Sequence, residues 1–360
     1  MPPLAPDRLD PLSFHRKLPG YGPTPLLSTP SLASRLGLSR VLVKNESSRF
    51  GLPSFKLLGA SWATYRALAA RCGLALDQWS TLEDLARELE VLRPFTLAAA
   101  TDGNHGRAVA RMARLLGFES RIFVPRGTAA ARIRAIEGEG ATCTVVDGDY
   151  DAAIARSAEE MSERCLVIDD TSWPGYEEIP RSVIQGYGTI FREIEGQIES
   201  PPSVVLVPIG VGALGAAAVD FYKRTSDAFV IGVEPKSAAC VLASIEAGRI
   251  VTVPGQKDSI MAGLNCGTPS SIAFPTLLAG LDASIAIDDS YAEEAMRTLA
   301  GCGIVSGETG AAALAGLEAL LALPEATEIR DEVGLDRNAT ALLLVTEGAT
   351  DPESYRRIVG

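Results

Sequence analysis

The sequence predicts an α/β fold with mostly parallel sheets. Short apolar runs rich in β-branched residues alternate with amphipathic stretches along the 360 residues, and this alternation is typical of strands followed by helices. Several of the runs carry almost no polar residue, as expected when helices cover both faces of a parallel sheet. A chain of this length is sufficient for one large domain or for two lobes.

The predicted strands are the apolar runs bounded by turn residues. In chain order they span 40–44, 96–100, 120–124, 142–146, 165–168, 203–208, 229–233, 283–287 and 339–345. The predicted helices follow the apolar spacing of one helical face. They span 104–116, which ends at Gly117 as a suitable C′ residue, then 129–139, 150–164, 181–198, 213–224, 291–301 and 310–323.

The segment 96–169 contains about four β-α units in quick succession, so it can form a sheet of its own. We therefore predict a smaller inserted lobe over residues 94–171. Both ends of the chain, residues 1–93 and 172–360, form the larger lobe. Ligands of such folds bind at the carboxyl ends of the strands, and we expect the active site in the cleft between the lobes.

Composition narrows the class of protein. The formal net charge is −12, which argues against nucleic-acid binding because a phosphate backbone requires a basic surface. The N-terminus lacks the layout of a signal peptide, and no apolar run approaches the ~20 residues that span a bilayer. Six widely spaced cysteines and two histidines give no zinc pattern. We expect a cytoplasmic protein without a metal.

The first segment of chemical interest surrounds Lys56. It reads Arg-Phe-Gly-Leu-Pro-Ser-Phe-Lys and continues into a run of small residues. In isolation such a lysine is more often a solvated residue at a helix start. The functional alternative is an amine held against an apolar wall, where desolvation lowers its pKa and favours Schiff-base chemistry.

The second segment, Thr101-Asp-Gly-Asn-His-Gly106, lies between a predicted strand and a predicted helix. Its small residues let the backbone approach a ligand, and the N–H groups of the helix start can bind a carboxylate. Thr101, Gly103 and His105 are therefore candidate substrate-binding residues. A capping turn is the structural alternative, and His105 is equally consistent with packing or with a proton shuttle.

The third segment, Gly210-Val-Gly-Ala-Leu-Gly215, follows a predicted strand and opens a predicted helix. It matches the G-x-G-x-x-G pattern, and Glu234 ends the next strand, which together are typical of a dinucleotide site. The physical content of the pattern is less specific, because backbone amides at a helix start can hold any phosphate.

In this order along the chain, the three segments resemble the fold-type II pyridoxal-phosphate enzymes, the family of the threonine and serine ammonia-lyases and cysteine synthase. The second turn usually reads Ser-Gly-Asn in that family, whereas this chain has Asp102-Gly-Asn. With that aspartate, five blocks resemble the diaminopropionate ammonia-lyases within the family. The blocks are 49–56, 170–176, 179–180, 185–187 and 261–267. A dinucleotide enzyme has no use for the lysine block.

The resemblance implies two open, twisted, mostly parallel sheets flanked by helices, and pyridoxal 5′-phosphate as the cofactor. It implies that Lys56 forms the Schiff base, that Asn104 binds the 3′-oxygen of the cofactor, and that Thr346 faces the pyridine nitrogen. The phosphate would be held by backbone amides of Gly210, Val211, Gly212, Ala213, Leu214 and Gly215. A homodimer is usual in the family.

The implied reaction is β-elimination from 2,3-diaminopropionate, giving aminoacrylate, which hydrolyses to pyruvate, and two molecules of ammonia. Asp102 would take the Cα proton and attract the second amine of the substrate, tasks for which a serine is poorly suited. Asp170 would be a second carboxylate at the same carbon; a cap of the Thr171-Ser172 turn is the alternative. A carboxylate at each position is linked in the family with accepting both enantiomers.

Two further expectations stay open at this point. A threonine/serine ammonia-lyase or a β-replacement enzyme would share the same fold and the same lysine. Cys240 and Cys266 lie in or near the matched blocks, so they could form a redox-sensitive bridge, although two buried thiols are the commoner arrangement.

Overall fold

The structure, a computed structural model, describes residues 10–360. Residues 1–9 of the predicted larger lobe lie outside the described part. The strands are β1 (Leu26–Ser28), β2 (Arg40–Asn45), β3 (Thr96–Ala100), β4 (Glu119–Pro125), β5 (Thr142–Val146), β6 (Cys165–Val167), β7 (Val204–Pro208), β8 (Phe229–Pro235), β9 (Ala283–Ile287) and β10 (Thr340–Val345).

The helices begin with α1 (Pro11–His15), α2 (Pro30–Leu36), α3 (Lys56–Cys72), α4 (Leu82–Glu88), α5 (Asn104–Leu116), α6 (Ala130–Glu137), α7 (Tyr150–Ala158) and α8 (Glu178–Gln197). They continue with α9 (Ala213–Thr225), α10 (Cys240–Glu246), α11 (Phe274–Gly280), α12 (Asp289–Gly301), α13 (Glu308–Ala322), α14 (Thr327–Glu332) and α15 (Pro352–Val359). None of these described helices is long and apolar enough to cross a bilayer.

The predicted α/β class is confirmed. The strands form two sheets, and every strand pair is parallel except β1 with β2. All nine predicted strands are present within two residues of the predicted bounds. The prediction missed β1, which has only three residues, and several helices, of which α3 is the longest.

The chain divides into two compact units. The first comprises the residues up to Gly22, Arg49–Leu52 and Lys56–Thr189, and the second comprises Pro23–Ser48, Pro53–Phe55 and Ile190–Gly360. These bounds differ from the predicted lobes because α3 and the first part of α8 belong to the unit that contains the smaller sheet. The predicted lobes and the cleft between them stay predictions.

The first unit contains the four-stranded sheet, with the strands in the order β5-β4-β3-β6. Strand β3 is buried along its whole length, because helices cover it on both faces. Helix α5 follows β3 and ends at Gly117, which adopts the left-handed conformation with φ +70° as predicted. The carboxyl ends of β3 and β6 are neighbours, and they carry Asp102 and Asp170.

The second unit contains the six-stranded sheet, with the strands in the order β1-β2-β10-β7-β8-β9. Its core is a continuous apolar cluster to which β7, β8, β10 and the small residues of α13 contribute. The turn between β7 and α9 carries the predicted phosphate loop.

Candidate active site

Lys56 is the first residue of α3. It does begin a helix, but it is not a solvated residue, since only 20% of its side chain is exposed. The preceding segment is fixed within the second unit: Ser54 forms a bridge with Glu347, and the Phe55 N–H donates to the Thr346 carbonyl at 3.4 Å. The Lys56 Nζ donates to Asp170 Oδ2 at 2.6 Å within the first unit.

The pKa of Lys56 contradicts the sequence prediction. Burial by itself would lower the pKa of the amine, as we expected, but the Asp170 carboxylate raises it, and the net pKa lies well above the ordinary value. The prediction was wrong because it placed the lysine against an apolar wall and did not foresee an ionised partner. Lys56 is therefore an ammonium paired with a carboxylate.

Asp170 follows β6 and is almost completely buried, with 5% of its side chain exposed. Its Oδ2 accepts from Lys56, and its Oδ1 accepts from the Tyr150 hydroxyl at 3.0 Å. Burial would raise the pKa of Asp170, but the Lys56 ammonium and the hydrogen bond from the Tyr150 hydroxyl hold it well below its ordinary range. Asp170 is thus an ionised carboxylate facing the lysine, which goes beyond a turn cap.

Asp102 lies in the turn between β3 and α5. The turn is closed by the Gly103 N–H, which donates to Thr101 Oγ1 at 2.9 Å, and Gly103 has φ +151°, a conformation that glycine adopts without strain. Burial raises the pKa of Asp102, while the charges of Arg132 and Lys56 oppose that shift. Asp102 therefore belongs to the same charge cluster as Lys56 and Asp170.

His105 is buried in the first turn of α5. Its Nε2 lies 2.6 Å from the Ile168 carbonyl, so this nitrogen must carry the proton and donate, which leaves Nδ1 as an acceptor. Nδ1 is 3.9 Å from Asp170 Oδ2. Burial lowers the pKa of His105, which favours a neutral ring that packs beneath the carboxylate.

The aspartate before Asp170, Asp169, links the ends of β3 and β6. Its Oδ1 accepts the Ala100 N–H from the end of β3 at 2.7 Å, and its Oδ2 accepts from Ser157 at 2.7 Å. Its backbone N–H donates to the Tyr176 hydroxyl at 2.9 Å. Burial raises the pKa of Asp169 to about 7. These hydrogen bonds hold the end of β3 beside Asp169, and therefore beside Asp170, the next residue.

Close helix packing places Tyr187 beside Lys56. A Cβ on Gly59 would lie 2.5 Å from Cε1 of Tyr187, and one on Gly186 would lie 2.5 Å from the Leu58 carbonyl. The two glycines let α3 and α8 approach closely. The Tyr187 ring centroid lies 6.0 Å from Lys56 Nζ, and burial raises the pKa of its phenol.

The predicted phosphate loop has the geometry of an anion site in the second unit. β7 ends at Pro208, and α9 begins at Ala213 after Gly212, which has φ +101°. No side chain caps α9 in the described part of the chain, so its first N–H groups are available to a phosphate. A Cβ on Gly210 would lie 3.1 Å from both Cys266 Sγ and the Gly263 carbonyl, so the loop is tightly packed at this position.

Glu234 does not serve the dinucleotide interpretation. Its two carboxylate oxygens accept the backbone N–H groups of Val241 and Leu242, each at 2.8 Å, and Ser284 donates to it at 3.2 Å. Burial raises its pKa to about 7. The carboxylate caps the start of α10, so its oxygens are not available to a ribose.

Three further candidates, Thr346, Cys240 and Cys266, lie in the second unit. Thr346 is buried, and its hydroxyl is 3.5 Å from the Thr309 carbonyl. Cys240 Sγ lies 3.7 Å from the Gly210 carbonyl, so both Cys240 and Cys266 approach the same glycine. Their pairing stays a prediction. In the first unit, Asn104 is the first residue of α5, where the predicted helix 104–116 also begins.

Three side chains of the charge cluster, Tyr150, Arg132 and Tyr187, were not predicted from the sequence. Tyr150 and Arg132 come from helices that were predicted, but nothing in the local sequence shows that they turn towards Asp170 and Asp102. Tyr187 lies in one of the matched blocks. An alternation of small and aromatic residues in α8, Gln185-Gly-Tyr-Gly188, was the only available signal of a close helix contact.

The fold and the site together define a class. Two mostly parallel sheets, a lysine at a helix start and a glycine loop that opens a helix agree with the fold-type II pyridoxal-phosphate enzymes that the sequence resembles. The sequence model of the family described as pyridoxal-phosphate dependent enzyme matches residues 17–344. The chain belongs to this family, and its cofactor is pyridoxal 5′-phosphate.

Particular relatives narrow the class. The chain is 37% identical over 359 residues to a diaminopropionate ammonia-lyase of Escherichia coli strain K12, covering 96% of this chain and 89% of that protein. It is similar to the crystal structure of the Escherichia coli enzyme with an aminoacrylate-PLP azomethine reaction intermediate, with a TM-score of 0.88, 35% identity and coverage of 97% and 90%. A complex of that enzyme with D-serine gives a TM-score of 0.89 at 36% identity, with the same coverage.

Proposed function

We propose that the chain eliminates ammonia from 2,3-diaminopropionate, with pyruvate and a second ammonia as the final products. One observation carries the proposal: the buried carboxylate of Asp170 lies 2.6 Å from Lys56 Nζ, and a second, half-buried carboxylate, Asp102, acts on the charge of the same lysine. The similarity to the diaminopropionate ammonia-lyases supports it over most of the chain. A serine in place of Asp102 would leave only one carboxylate.

Lys56 would hold the cofactor, and Asp170 would hold the lysine in position, since Asp170 Oδ2 accepts a hydrogen bond from Lys56 Nζ at 2.6 Å. The ammonium must lose a proton before it can attack a carbonyl, and the ion pair opposes that loss, because it raises the pKa of Lys56 and lowers the pKa of Asp170. When bound, pyridoxal phosphate supplies an electron sink that weakens the bonds at the substrate Cα. The carboxylates then provide the groups that take and return protons at that carbon.

Asp102 and Asp170 would divide the acid–base work. Asp170 is ionised at neutral pH, which suits a general base. Asp102 has a raised pKa, which suits a carboxyl that takes up the Cα proton and then delivers one to the leaving amine. Its charge would also attract the second ammonium of the substrate. Two carboxylates on adjacent strand ends would let the enzyme accept both enantiomers.

The other site residues are part of the proposal. Asn104 would bind the 3′-oxygen of the cofactor, Thr346 would face its pyridine nitrogen, and the amides of the loop 210–215 would hold its phosphate. Thr101 shapes the turn, so its part in binding the substrate carboxylate would be indirect, through the N–H groups of Gly103 and His105 at the start of α5. The loop glycines and the uncapped α9 fit this arrangement.

We also propose a homodimer in the cytoplasm. The homodimer rests on the family resemblance. The scattered acidic charge and the widely spaced cysteines of the sequence support the location. Light scattering on the purified protein tests the assembly.

The function is tested by product release from purified protein. We expect pyruvate and ammonia from both enantiomers of diaminopropionate and slow turnover of L-threonine and L-serine. Lys56→Ala should abolish the visible absorbance of the lysine-bound cofactor and the activity. Asp102→Asn should reduce kcat by about 10²-fold or more for at least one enantiomer, in line with the contribution of a general base. The exposed Asp227→Asn is the control.

Two results would contradict the proposal in different ways. Fast turnover of a hydroxy amino acid with little turnover of diaminopropionate would indicate a threonine/serine ammonia-lyase instead. Unchanged ammonia release by Asp102→Asn from both enantiomers would show that Asp102 is not the base, although the substrate would stand.

A further inference from the structure

Helix α7 presents two hydroxyl groups to two adjacent carboxylates. The Tyr150 hydroxyl donates to Asp170 Oδ1 at 3.0 Å, and Ser157 Oγ donates to Asp169 Oδ2 at 2.7 Å. The two residues are seven positions apart, which is about two helical turns, so they lie on the same face of α7. One helix thus binds both the aspartate that fixes the strand ends and the aspartate that faces Lys56.

The two oxygens of Asp170 have different surroundings. Oδ1 is bound by the Tyr150 hydroxyl, whereas Oδ2 faces Lys56 Nζ at 2.6 Å and His105 Nδ1 at 3.9 Å. His105 Nδ1 is an acceptor because the opposite nitrogen donates to the Ile168 carbonyl. Oδ2 is therefore the oxygen that meets groups able to exchange a proton with it.

We propose that Tyr150 is a positioning residue, which holds Asp170 by Oδ1 so that Oδ2 is the oxygen that takes and returns the proton of the reaction. This inference rests on the proposed function, in which Asp170 serves one enantiomer of the substrate. Tyr150 itself does not touch the reacting atoms in this role. It fixes the rotamer of the carboxylate and directs one of its oxygens.

A hydroxyl donor has two physical consequences for Asp170. A hydrogen bond to the ionised form stabilises it and lowers the pKa of the carboxyl, and Tyr150 contributes in that direction. It also removes rotational freedom of the carboxylate, which matters because a misplacement of about 1 Å can cost ~10²-fold in rate.

Groups from several elements act on the charge of Asp170. They are Lys56 of α3, Asp102 of the turn before α5, His105 of α5, Tyr150 of α7, the neighbouring Asp169, Tyr176 of the following loop and Tyr187 of α8. Among them, Tyr150 is the donor to Oδ1, so its hydroxyl can be removed without removing the ion pair at Oδ2.

The test uses the holoenzyme and both enantiomers of diaminopropionate. Asp170→Asn first identifies the enantiomer that depends on Asp170. Tyr150→Phe should then lower kcat for that enantiomer by about tenfold and move the acid limb of its pH profile upward, because Asp170 loses a donor. Turnover of the other enantiomer should change little. Tyr355→Phe, a half-buried tyrosine of α15, is the matched control.

A double-mutant cycle separates positioning from a general structural role. In the Asp170→Asn background, Tyr150→Phe should cause no further loss, since the residue acts through Asp170. An equal loss in both backgrounds, or an equal loss for both enantiomers with an unmoved acid limb, would overturn the proposal.

A second readout does not need turnover. Carbon-13 NMR of the aspartate carboxyl groups, with Asp170 assigned by the Asp170→Asn variant, should show its pKa raised in Tyr150→Phe. An unchanged Asp170 titration would overturn the inference. If the wild-type enzyme releases no pyruvate from diaminopropionate, the proposed function fails, but this titration still decides the role of Tyr150.

Discussion

Gly59 determines how close Tyr187 can come to the lysine of the active site. Three residues after Lys56 in α3, it has no Cβ, and the Tyr187 ring and the Val183 side chain occupy that space. An alanine Cβ would lie 2.5 Å from one and 2.7 Å from the other. The usual gain of about 1 kcal/mol for alanine in a helix is therefore outweighed by overpacking.

Gly59→Ala is expected to destabilise the protein by about 1–3 kcal/mol. Gly188→Ala is the matched control: this glycine also lies in a helix, α8, and nothing lies within 4 Å of its added Cβ. There the alanine should stabilise by about 0.5–1 kcal/mol. Chemical denaturation of both variants measures the difference. If Gly59→Ala stabilises the protein as much as Gly188→Ala does, the contact with Tyr187 relaxes without cost.

At the scale of residues, the sequence predicted which side chains belong to the candidate site better than it predicted the side chains that they contact. Lys56 was singled out by its place ahead of a glycine-Asn turn and a glycine loop, and Asp102 by its departure from the Ser-Gly-Asn turn that is usual in the family. The ion pair between Lys56 and Asp170 joins residues 114 positions apart, and no local pattern predicts such a contact. For the same reason the direction of the lysine pKa was predicted wrongly.

At the scale of elements, the period of the apolar residues decided what could be predicted. Strands such as β3 and β5 have the predicted bounds because an apolar run between turn residues has one interpretation in an α/β chain. Helix α3 was missed because its own residues are buried on nearly all of its faces. Its sequence therefore lacks the alternation of apolar and polar faces that identifies a surface helix. The junction of β7 and α9 was predicted from glycine spacing, which depends on backbone geometry rather than on period.

That junction yields a prediction about cofactor binding. Gly212→Ala places a Cβ at φ +101° and 2.5 Å from Leu277 Cδ1, which should distort the start of α9. We expect the affinity for pyridoxal phosphate to fall by about tenfold or more, since the helix-start amides would no longer converge on the phosphate. Fluorescence titration of the cofactor-free protein measures the affinity.

Gly248→Ala is the control for backbone strain. It has φ +63°, and nothing lies within 4 Å of its added Cβ, so it carries the strain of a left-handed residue away from the loop. Its cofactor affinity should match the wild type. Normal affinity in Gly212→Ala would contradict the proposed phosphate site.

At the scale of the whole molecule, the number and kind of sheets followed from the β-α alternation, but the division into units did not. Residues 96–167 form the smaller sheet as predicted. The unit around that sheet also includes α3 and part of α8, because contacts such as Gly59 with Tyr187 join elements that are distant in sequence. Local patterns fix the strands of a sheet, whereas long-range packing decides which helices cover it.

The pH dependence of stability is a property of the whole molecule, and the buried carboxyl of Asp169 should contribute to it in a defined direction. Asp169 has a pKa of about 7 because of burial, whereas an unfolded chain gives it a pKa of about 3.9. The folded protein therefore binds this proton more tightly than the unfolded chain does. As the pH rises from about 4 to about 7, the contribution of Asp169 to the free energy of unfolding falls, and above that range it stays constant.

Asp169→Asn should remove the fall in the free energy of unfolding that Asp169 causes as the pH rises. The asparagine oxygen can accept the Ala100 N–H, and its amide can donate to Ser157, whose hydroxyl also has the Ile154 carbonyl as an acceptor. We expect the variant to match the wild type near pH 4 and to exceed it by about 1–3 kcal/mol at pH 8, measured by urea denaturation of cofactor-saturated protein. Asp227→Asn, at an exposed position, should follow the wild type at both pH values. A less stable Asp169→Asn protein at pH 8 would mean that the charge of Asp169 holds the strand ends more strongly than burial opposes it.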